Sequence, residues 1–397
     1  MIKAIRLKNF FSFASEEISF GELNALVGIN GAGKSNMIKA LQVLKAVIND
    51  GDMSNLFINQ WGGFDAVMFM GNTDPKASIQ IEYEFNPNVL GQYGYRFQEP
   101  VFYRIRFHKV ASSQNYYLCE SFHTKNSDGR PNYRYLQIAN GSGFAREGRA
   151  NDQQSVSYEL DNASESLLSQ LVDKDRYYQI YTLREAIKDI AIYTYFNTTA
   201  TSAIRKPVQP GFTNRLIADG SNLPQVLNAI KVNDKQSYSM ITDALRAVNS
   251  QFRGFDFNFL GTSIELLLDE AELNRSIHVT HISDGTLRYL CLLAIIFNPR
   301  RGRLVCIDEP EVGLHPDMLS ELMNAIMENT SKTQFIISTH SNLLLNQLPV
   351  SDVIVFEKDG KNASVARDFR EKEYVEWAQQ YSTGTLWRNG DLGGNRY

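Results

Sequence analysis

Gly28-Ile29-Asn30-Gly31-Ala32-Gly33-Lys34-Ser35 has the pattern of a phosphate-binding loop. An apolar run, Leu23 to Val27, precedes it and reads as a strand, and Met37, Ile38, Leu41 and Leu44 follow at helical spacing. The motif needs that strand-to-helix setting. Its glycines let backbone N–H groups turn inward around phosphate oxygens, and the helix N-terminus adds a partial positive charge. In this pattern Lys34 reaches the β- and γ-phosphates and the Ser35 hydroxyl is a ligand for Mg²⁺. Asn30, Gly31, Ala32, Gly33 and Asn36 complete the expected phosphate cradle. The plain alternative is a glycine-rich turn before a helix, and the Lys-Ser pair argues against it. The sequence therefore predicts a nucleoside triphosphate site.

The chain has 397 residues, more than one typical domain, and can bury a sizeable core. With 43% hydrophobic and 21% charged residues, its composition is that of a globular protein. The net charge of -4 supplies no global basic field to attract nucleic acid. The densest basic stretch, Pro299-Arg300-Arg301-Gly302-Arg303, reads equally as a local patch or as a solvated turn before a strand. Cys119, Cys291 and Cys306 lie far apart with no zinc spacing, which fits a reducing compartment. Met1 to Leu7 alternates like a strand and lacks the apolar core of a signal peptide. The longest apolar run, Tyr289 to Phe297, is too short to span a bilayer. A soluble, cytoplasmic protein with no membrane partner is expected.

Two more apolar runs end in polar residues. Arg303-Leu304-Val305-Cys306-Ile307-Asp308-Glu309-Pro310 reads as a buried parallel strand closing on two acids, at the strand end where α/β sheets bind ligands. With a phosphate loop in the same chain, Asp308 is expected to hold Mg²⁺ and Glu309 to polarise the attacking water. A solvated turn is the plain alternative. Gln334-Phe335-Ile336-Ile337-Ser338-Thr339-His340 is a second such strand and ends in a histidine. Upstream, Ile282-Ser283-Asp284-Gly285-Thr286-Leu287-Arg288 opens a helical run. A Ser/Gly loop at a helix start is an anion site, or simply a Ser/Asp cap.

In order and spacing these motifs resemble the ABC-type ATPase superfamily, and within it the soluble SMC/RecF/OLD-like branch. The resemblance implies a role for each position. Asp308 and Glu309 become the Walker B acids, and His340 becomes the switch histidine that touches the γ-phosphate. Glu311-Val312-Gly313-Leu314-His315-Pro316 fills the place of the D-loop. Ser283, Asp284 and Gly285 occupy the signature motif, which in relatives closes on the γ-phosphate of the opposite subunit. Asp284 stands where those proteins usually have Gly. Gln60, ahead of Trp61-Gly62-Gly63-Phe64, falls where a lobe-linking glutamine ligates Mg²⁺, or is an ordinary loop glutamine.

Leu7-Lys8-Asn9-Phe10-Phe11-Ser12-Phe13 resembles the N-terminal strand and turn of SMC and RecF proteins, except that Phe11 stands where many relatives carry Lys or Arg. The Asp-Glu-Pro-Glu stretch from Asp308, with Gly-Leu-His-Pro behind it, is closer to OLD-like ATPases than to transporter subunits. The tail from Gly384 to Tyr397, Asp219-Gly220-Ser221-Asn222-Leu223 and the Ser283 to Arg288 stretch are similar to a family of standalone predicted bacterial ATPases. That family is linked by analogy to anti-phage defence. ATP is the nucleotide the resemblance implies.

Ser35 and Asp308 are about 270 residues apart, more than a minimal ATPase core needs. The first part of the excess (Val101 to Phe107, Tyr116 to Phe122, Tyr133 to Ile138, Val156 to Leu160) alternates and is rich in Tyr and Phe, so it reads as strands and hairpins. Asn126 to Asn132 and Asn140 to Gly143 read as the links between them. The second part (Ser164 to Val172, Tyr181 to Ile190, Leu223 to Ile230, Met240 to Val248) reads helical without a heptad repeat. The expected fold is α/β: an ABC/RecF-like P-loop NTPase with a mixed sheet, an antiparallel sheet extension and an inserted helical lobe. The expected boundaries are 1–160 for an N-terminal ATPase lobe, 161–275 for the helical lobe and 276–397 for a C-terminal ATPase lobe.

Three functions compete. The first is an ATP-hydrolysing homodimer that forms head to tail on ATP and regulates a separate effector, a nuclease or a toxin. The chain itself is not expected to cut nucleic acid. After the strand Val353 to Glu357 only about forty residues follow, where a TOPRIM nuclease domain needs on the order of a hundred. The second is a RecF-type DNA repair or maintenance ATPase. The aromatics Tyr93, Tyr95, Phe97, Phe102, Tyr103 and Phe107, near Arg96, Arg104 and Arg106, offer a nucleic-acid surface or are ordinary strand residues. The third, a transporter ATPase subunit, is disfavoured by the tail and the large insertion.

Overall fold

The computed structural model describes every residue except 50, 52, 75, 112, 127–128, 150–153, 212, 372–373, 375–380 and 395–397. Ser127 and Asp128 of the predicted link, and Asn395 to Tyr397 of the tail, therefore lie outside the described residues. In chain order the first strands are β1 (Ile2–Phe10), β2 (Phe13–Ser19) and β3 (Leu23–Gly28), followed by α1 (Lys34–Asn49) and α2 (Phe64–Val67). Then come β4 (Ile79–Phe85), α3 (Pro87–Leu90), β5 (Val101–Lys109), β6 (Tyr116–Lys125), β7 (Pro131–Ala139), β8 (Ser142–Glu147) and β9 (Gln154–Glu159). Next are α4 (Leu167–Gln170), α5 (Tyr178–Lys188), β10 (Ile190–Tyr193), α6 (Leu223–Asn233), α7 (Lys235–Val248), β11 (Phe252–Leu260), β12 (Ser263–Glu270) and β13 (Ile277–His278). The chain continues with α8 (Asp284–Ile296), β14 (Leu304–Asp308), α9 (Pro316–Asn329), β15 (Gln334–Ser338), α10 (Asn342–Leu345), β16 (Val353–Lys358) and β17 (Ser364–Asp368). A last helix spans Thr383–Asn389.

The chain divides into two compact units, one of Met1–Ile190, Val353–Phe369 and Leu392–Tyr397, the other of Ala191–Asp352 and Arg370–Asp391. The first unit is built on an eight-stranded sheet of order β2-β1-β4-β5-β6-β7-β8-β9. Its strands alternate because one face is buried. Ile79, Ile81, Tyr83 and Phe85 on β4, and Val101, Tyr103, Ile105 and Phe107 on β5, point into the core. Tyr83 donates its hydroxyl proton to the Ala40 carbonyl at 2.6 Å, which ties this face to α1. Glu120, on the same face of β6, is fully buried. It accepts from Tyr103 Oη at 2.6 Å, from Ser166 Oγ at 3.0 Å and from the backbone N–H of Leu167 at 2.9 Å. Those donors at the start of α4 supply the partners a buried carboxylate needs, while burial still pushes its pKa up. In the same unit β3 pairs in parallel with β16, and β16 pairs antiparallel with β17.

In the second unit β14 and β15 pair in parallel, from Leu304↔Gln334 to Asp308↔Ser338. They close a core around α8, which is apolar on nearly all sides and is buried from Thr286 to Ile296 except at Arg288. Each fully buried Leu or Ile on it contributes about 1.5–3 kcal/mol relative to exposure. Cys291 and Cys306 sit inside this core as free thiols, and burial pushes both well up. Arg301, in the basic stretch, is also buried. Its guanidinium donates to Thr333 Oγ1 at 2.9 Å, the Asn298 carbonyl at 3.2 Å and Asn329 Oδ1 at 2.8 Å, so it holds a turn.

Two details differ from the sequence reading. The stretch Asn140 to Gly143 is only partly a link, because β8 begins at Ser142 and adds a strand between β7 and β9. The region read as mainly helical also holds the β11–β12 hairpin, with β13 beside it. The alternation Phe252-Arg253-Gly254-Phe255-Asp256-Phe257 carried that signal. Among the described residues no helix is long and apolar enough to cross a membrane.

Candidate nucleotide site

The predicted residues fall into two groups, one within each unit. In the first unit β3 is buried along its whole length and delivers the chain to Gly28. A Cβ on Gly28 would meet the Phe356 carbonyl oxygen of β16 at 2.5 Å, and one on Gly33 would meet Ser364 Oγ of β17 at 2.6 Å. Both glycines also have positive φ, at 155° and 122°. The loop therefore needs glycine at these points because strands press against its back, and Gly31 (φ 81°) faces open space on the other side. Lys34, the first residue of α1, is buried and lays its ammonium across the loop, donating to the Gly28 carbonyl at 2.7 Å and the Ile29 carbonyl at 3.5 Å. The hydroxyl-bearing Ser35 is exposed.

Asn36 extends the cradle toward the N-terminal turn. Its Nδ2 donates to Ser12 Oγ at 2.9 Å, and Ser12 in turn accepts from Ser364 Oγ at 2.7 Å. Phe11 (φ 49°) stands against Trp61 with ring centroids 5.3 Å apart. A cation nonetheless stands here: Lys39 Nζ lies 3.9 Å from the Phe11 ring centroid and 3.4 Å from Asn36 Oδ1. Burial holds that ammonium below its ordinary value. The sequence reading missed Lys39, although one helical turn separates it from Asn36. A hollow of about 420 Å³, lined among others by Phe11, Ser12, Asn36, Met68 and Lys358, opens beside it. Gln60 ends a π-helical turn, Asn55–Gln60, with its side chain exposed; among the described residues it makes no hydrogen bond to the loop.

In the second unit the parallel pairing of β14 and β15 brings Asp308 level with Ser338, and Ser338 Oγ donates to Asp308 Oδ1. Glu309, the next residue, has φ 47°. A non-glycine residue in this region is strained and persists only where its surroundings over-determine it. Here its N–H donates to the carbonyl and the hydroxyl oxygen of Ser338, both at 3.1 Å. The turn aims the Glu309 carboxylate at His340, with Oε1 3.5 Å from Nε2. Glu311 holds the segment below: its Oε1 accepts from Thr339 Oγ1 at 2.8 Å and from the His340 N–H at 2.7 Å. Ser338 and Thr339 are thus positioning groups that the sequence reading did not assign, and Glu311, read there as the start of the D-loop stretch, is a third.

Ser283 caps α8, accepting from the Thr286 N–H at 3.2 Å. Asp284 is exposed, but its Oδ1 lies 2.6 Å from Nη2 of the buried Arg205. Arg205 is held by the carbonyls of Thr198 at 2.8 Å and Val279 at 2.6 Å. Gly285 lies so close to the next turn that a Cβ would meet the Gly313 carbonyl at 2.8 Å. Arg288 donates to the Val312 carbonyl at 2.9 Å and to Tyr195 Oη at 3.1 Å. The Ser283–Gly285 turn and the Glu311–His315 turn therefore pack as one body. Arg205, some eighty residues upstream of its partner in sequence, had no local signal that could reveal it.

The aromatics weighed as a stacking surface are mostly core. Phe97, Phe102, Tyr103 and Phe107 are buried, and Phe97 packs edge-on against Phe122 and Tyr135.

A family model described as "AAA domain, putative AbiEii toxin, Type IV TA system" matches residues 23–346, more than half of the chain. No curated protein matches the sequence. Among solved structures, the chain is similar to an Smc head bound to the C-winged helix domain of ScpA. The TM-score is 0.59 at 13% identity, covering 92% of this chain and 97% of that one. It is likewise similar to an Smc head with an extended coiled coil, bound to the C-terminal domain of ScpA derived from Pyrococcus furiosus. There the TM-score is 0.58 at 12% identity, with 96% and 98% covered. At these identities the likeness is one of fold, that of an Smc head.

Proposed function

The chain belongs to the AAA-domain family whose model spans residues 23–346, and from that premise we propose that it is an ATP hydrolase whose active sites are completed in a head-to-tail dimer. The observation that carries this reading is that one chain holds both a glycine cradle with Lys34 at its helix start and a Ser283-capped α8 N-terminus. In ABC-type ATPases these two parts serve different copies.

In this reading Lys34 leaves the Gly28 carbonyl for the β- and γ-phosphates, and the hollow beside Asn36 gives the base and ribose room. Gly31 and Ser35 face open space and solvent, so the loop residues present fit nucleotide phosphates with their Mg²⁺. Ser35 and Asp308 would hold the ion, with Gln60 as a further ligand. The ion supplies neutralisation of phosphate charge. Ser338 fixes the orientation of Asp308. Glu309 accepts the proton of the attacking water, and His340, held by Glu311 through its backbone, contacts the γ-phosphate.

Asp284 would repel a phosphate at the start of α8. Arg205 neutralises it, which leaves the helix N-terminus receptive to an anion. The dimer prediction is tested by sedimentation of a Glu309→Gln variant, which traps the ATP state. Its mass should double with MgATP, and an unchanged mass sinks the dimer. Arg205→Ala on that background should weaken ATP-dependent dimerisation by about tenfold, with nucleotide binding to the loop unchanged. Equal dimerisation would show that Asp284 needs no neutralising partner.

The dimer is proposed to gate a separate effector, a nuclease or toxin, in anti-phage defence. The toxin–antitoxin association of the family supports this by analogy. DNA cleavage by the purified chain alone, lost in a metal-site variant, would contradict it.

A further inference from the structure

The outer face of the eight-stranded sheet carries a hollow that the ATPase reading does not use. Small side chains lie side by side there. Ser121 on β6 sits between Arg104 on β5 and Gln137 on β7, and Cys119 sits between Arg106 and Ala139. These positions share one face because strand neighbours alternate. Small residues flanked by long ones leave a space of about 250 Å³, which Arg134 also lines.

The charges around this space are unevenly matched. Arg104 is spent on Glu82, at 2.6 Å, and Glu82 also takes Arg6 and Lys125. Among the described residues Arg106 donates to one side chain, the neutral Gln80 through Oε1, at 2.7 Å. The exposed Arg134 guanidinium makes no hydrogen bond or ion pair among the described residues. Burial, and then the like charge of Arg104, hold the Arg106 guanidinium below its ordinary value. Burial raises the Cys119 thiol, so the floor remains neutral. Among the described residues neither guanidinium is bonded to a carboxylate. Glu82, which also acts on Arg106, is bonded to Arg6, Arg104 and Lys125. Glu120, which also lines the space, is bonded to Tyr103, Ser166 and Leu167. An anion in the hollow would relieve the repulsion of the two cations.

We propose that this hollow binds the phosphoryl group of a small phosphorylated molecule, with Arg106 and Arg134 as charged ligands and Ser121 and Gln137 as neutral ones. A polynucleotide fits less well. A backbone needs a track of positive charge for successive phosphates. Here the flanking cations Arg6, Arg104 and Lys125 alternate with Glu17, Glu82 and Glu84, which take up their charge. The space is also smaller than a drug-sized pocket of roughly 300–1,000 Å³.

The inference is independent of the ATPase reading and is tested with the loop silenced. Inorganic phosphate and ribose 5-phosphate are titrated calorimetrically into the full chain carrying Lys34→Ala, and into the native chain saturated with a non-hydrolysable ATP analogue. Saturable binding at one site per chain is expected in both. Arg106→Gln should weaken it by about tenfold or more, and Arg134→Gln by a similar factor. Arg134 is exposed and its guanidinium makes no hydrogen bond or ion pair among the described residues, so the second variant keeps the test valid if the first misfolds. Equal affinity in the parent and both variants, or no binding to either probe, overturns the proposal. Salt-steep binding of an oligonucleotide that depends on Arg134, with no binding of the small probes, overturns it in favour of a polynucleotide surface.

Discussion

Glu309→Gln is expected to lower ATP turnover by about three orders of magnitude while MgATP affinity stays within about twofold. The substitution keeps the shape of the side chain and the backbone bonds to Ser338 that hold φ at 47°. It removes only the group able to take a proton from water. A carboxylate at a strand end, next to the residue that Ser338 orients and 3.5 Å from His340, is well placed for that transfer. Steady-state phosphate release, read beside an equilibrium titration of the nucleotide, separates the two effects. Turnover within tenfold of the native value would remove Glu309 from the role of base.

Lys34→Ala should weaken MgATP binding by at least about a hundredfold. The residue is buried, with 6% of it exposed, and its ammonium donates to the loop carbonyls of Gly28 and Ile29. Exchanging those neutral acceptors for anionic phosphate oxygens gains charge-assisted hydrogen bonds. At about 1.5–3 kcal/mol each, two of them amount to two or more orders of magnitude in Kd. Alanine is a good helix former at the first position of α1, so cooperative unfolding should persist. Calorimetry with a non-hydrolysable analogue reads the loss directly, and a Kd within threefold of the native value would mean that the cradle binds through its backbone alone.

Much of this was legible in the sequence for local reasons. The strand, loop and helix around Gly28 to Ser35 form a contiguous motif in which periodicity changes from a buried strand to an amphipathic helix. β14 and β15 are short apolar runs bounded by polar residues. α8 and the Tyr- and Phe-rich strands announce themselves by spacing. The misses are instructive. β8 hid behind Gly141 and Gly143, which read as turn residues, and the β11–β12 hairpin was lost among helical neighbours. Phe11 departs from relatives, but that Lys39 places a cation over its ring is a matter of how the turn and α1 pack.

The fold class was legible along the chain, and the candidate nucleotide residues are proposed from the same signals, because both are read from neighbours in sequence. Tertiary structure alone decided the partners. Arg205 meets Asp284, Glu311 holds the backbone of His340, and Arg106 and Arg134 share a hollow over Ser121. Side chains far apart in sequence become neighbours only when strands pair in one register and helices pack on them. Hydrogen bonds need heavy atoms within about 3.5 Å and screened charges act over roughly 10 Å, so these pairs form only after that register is set.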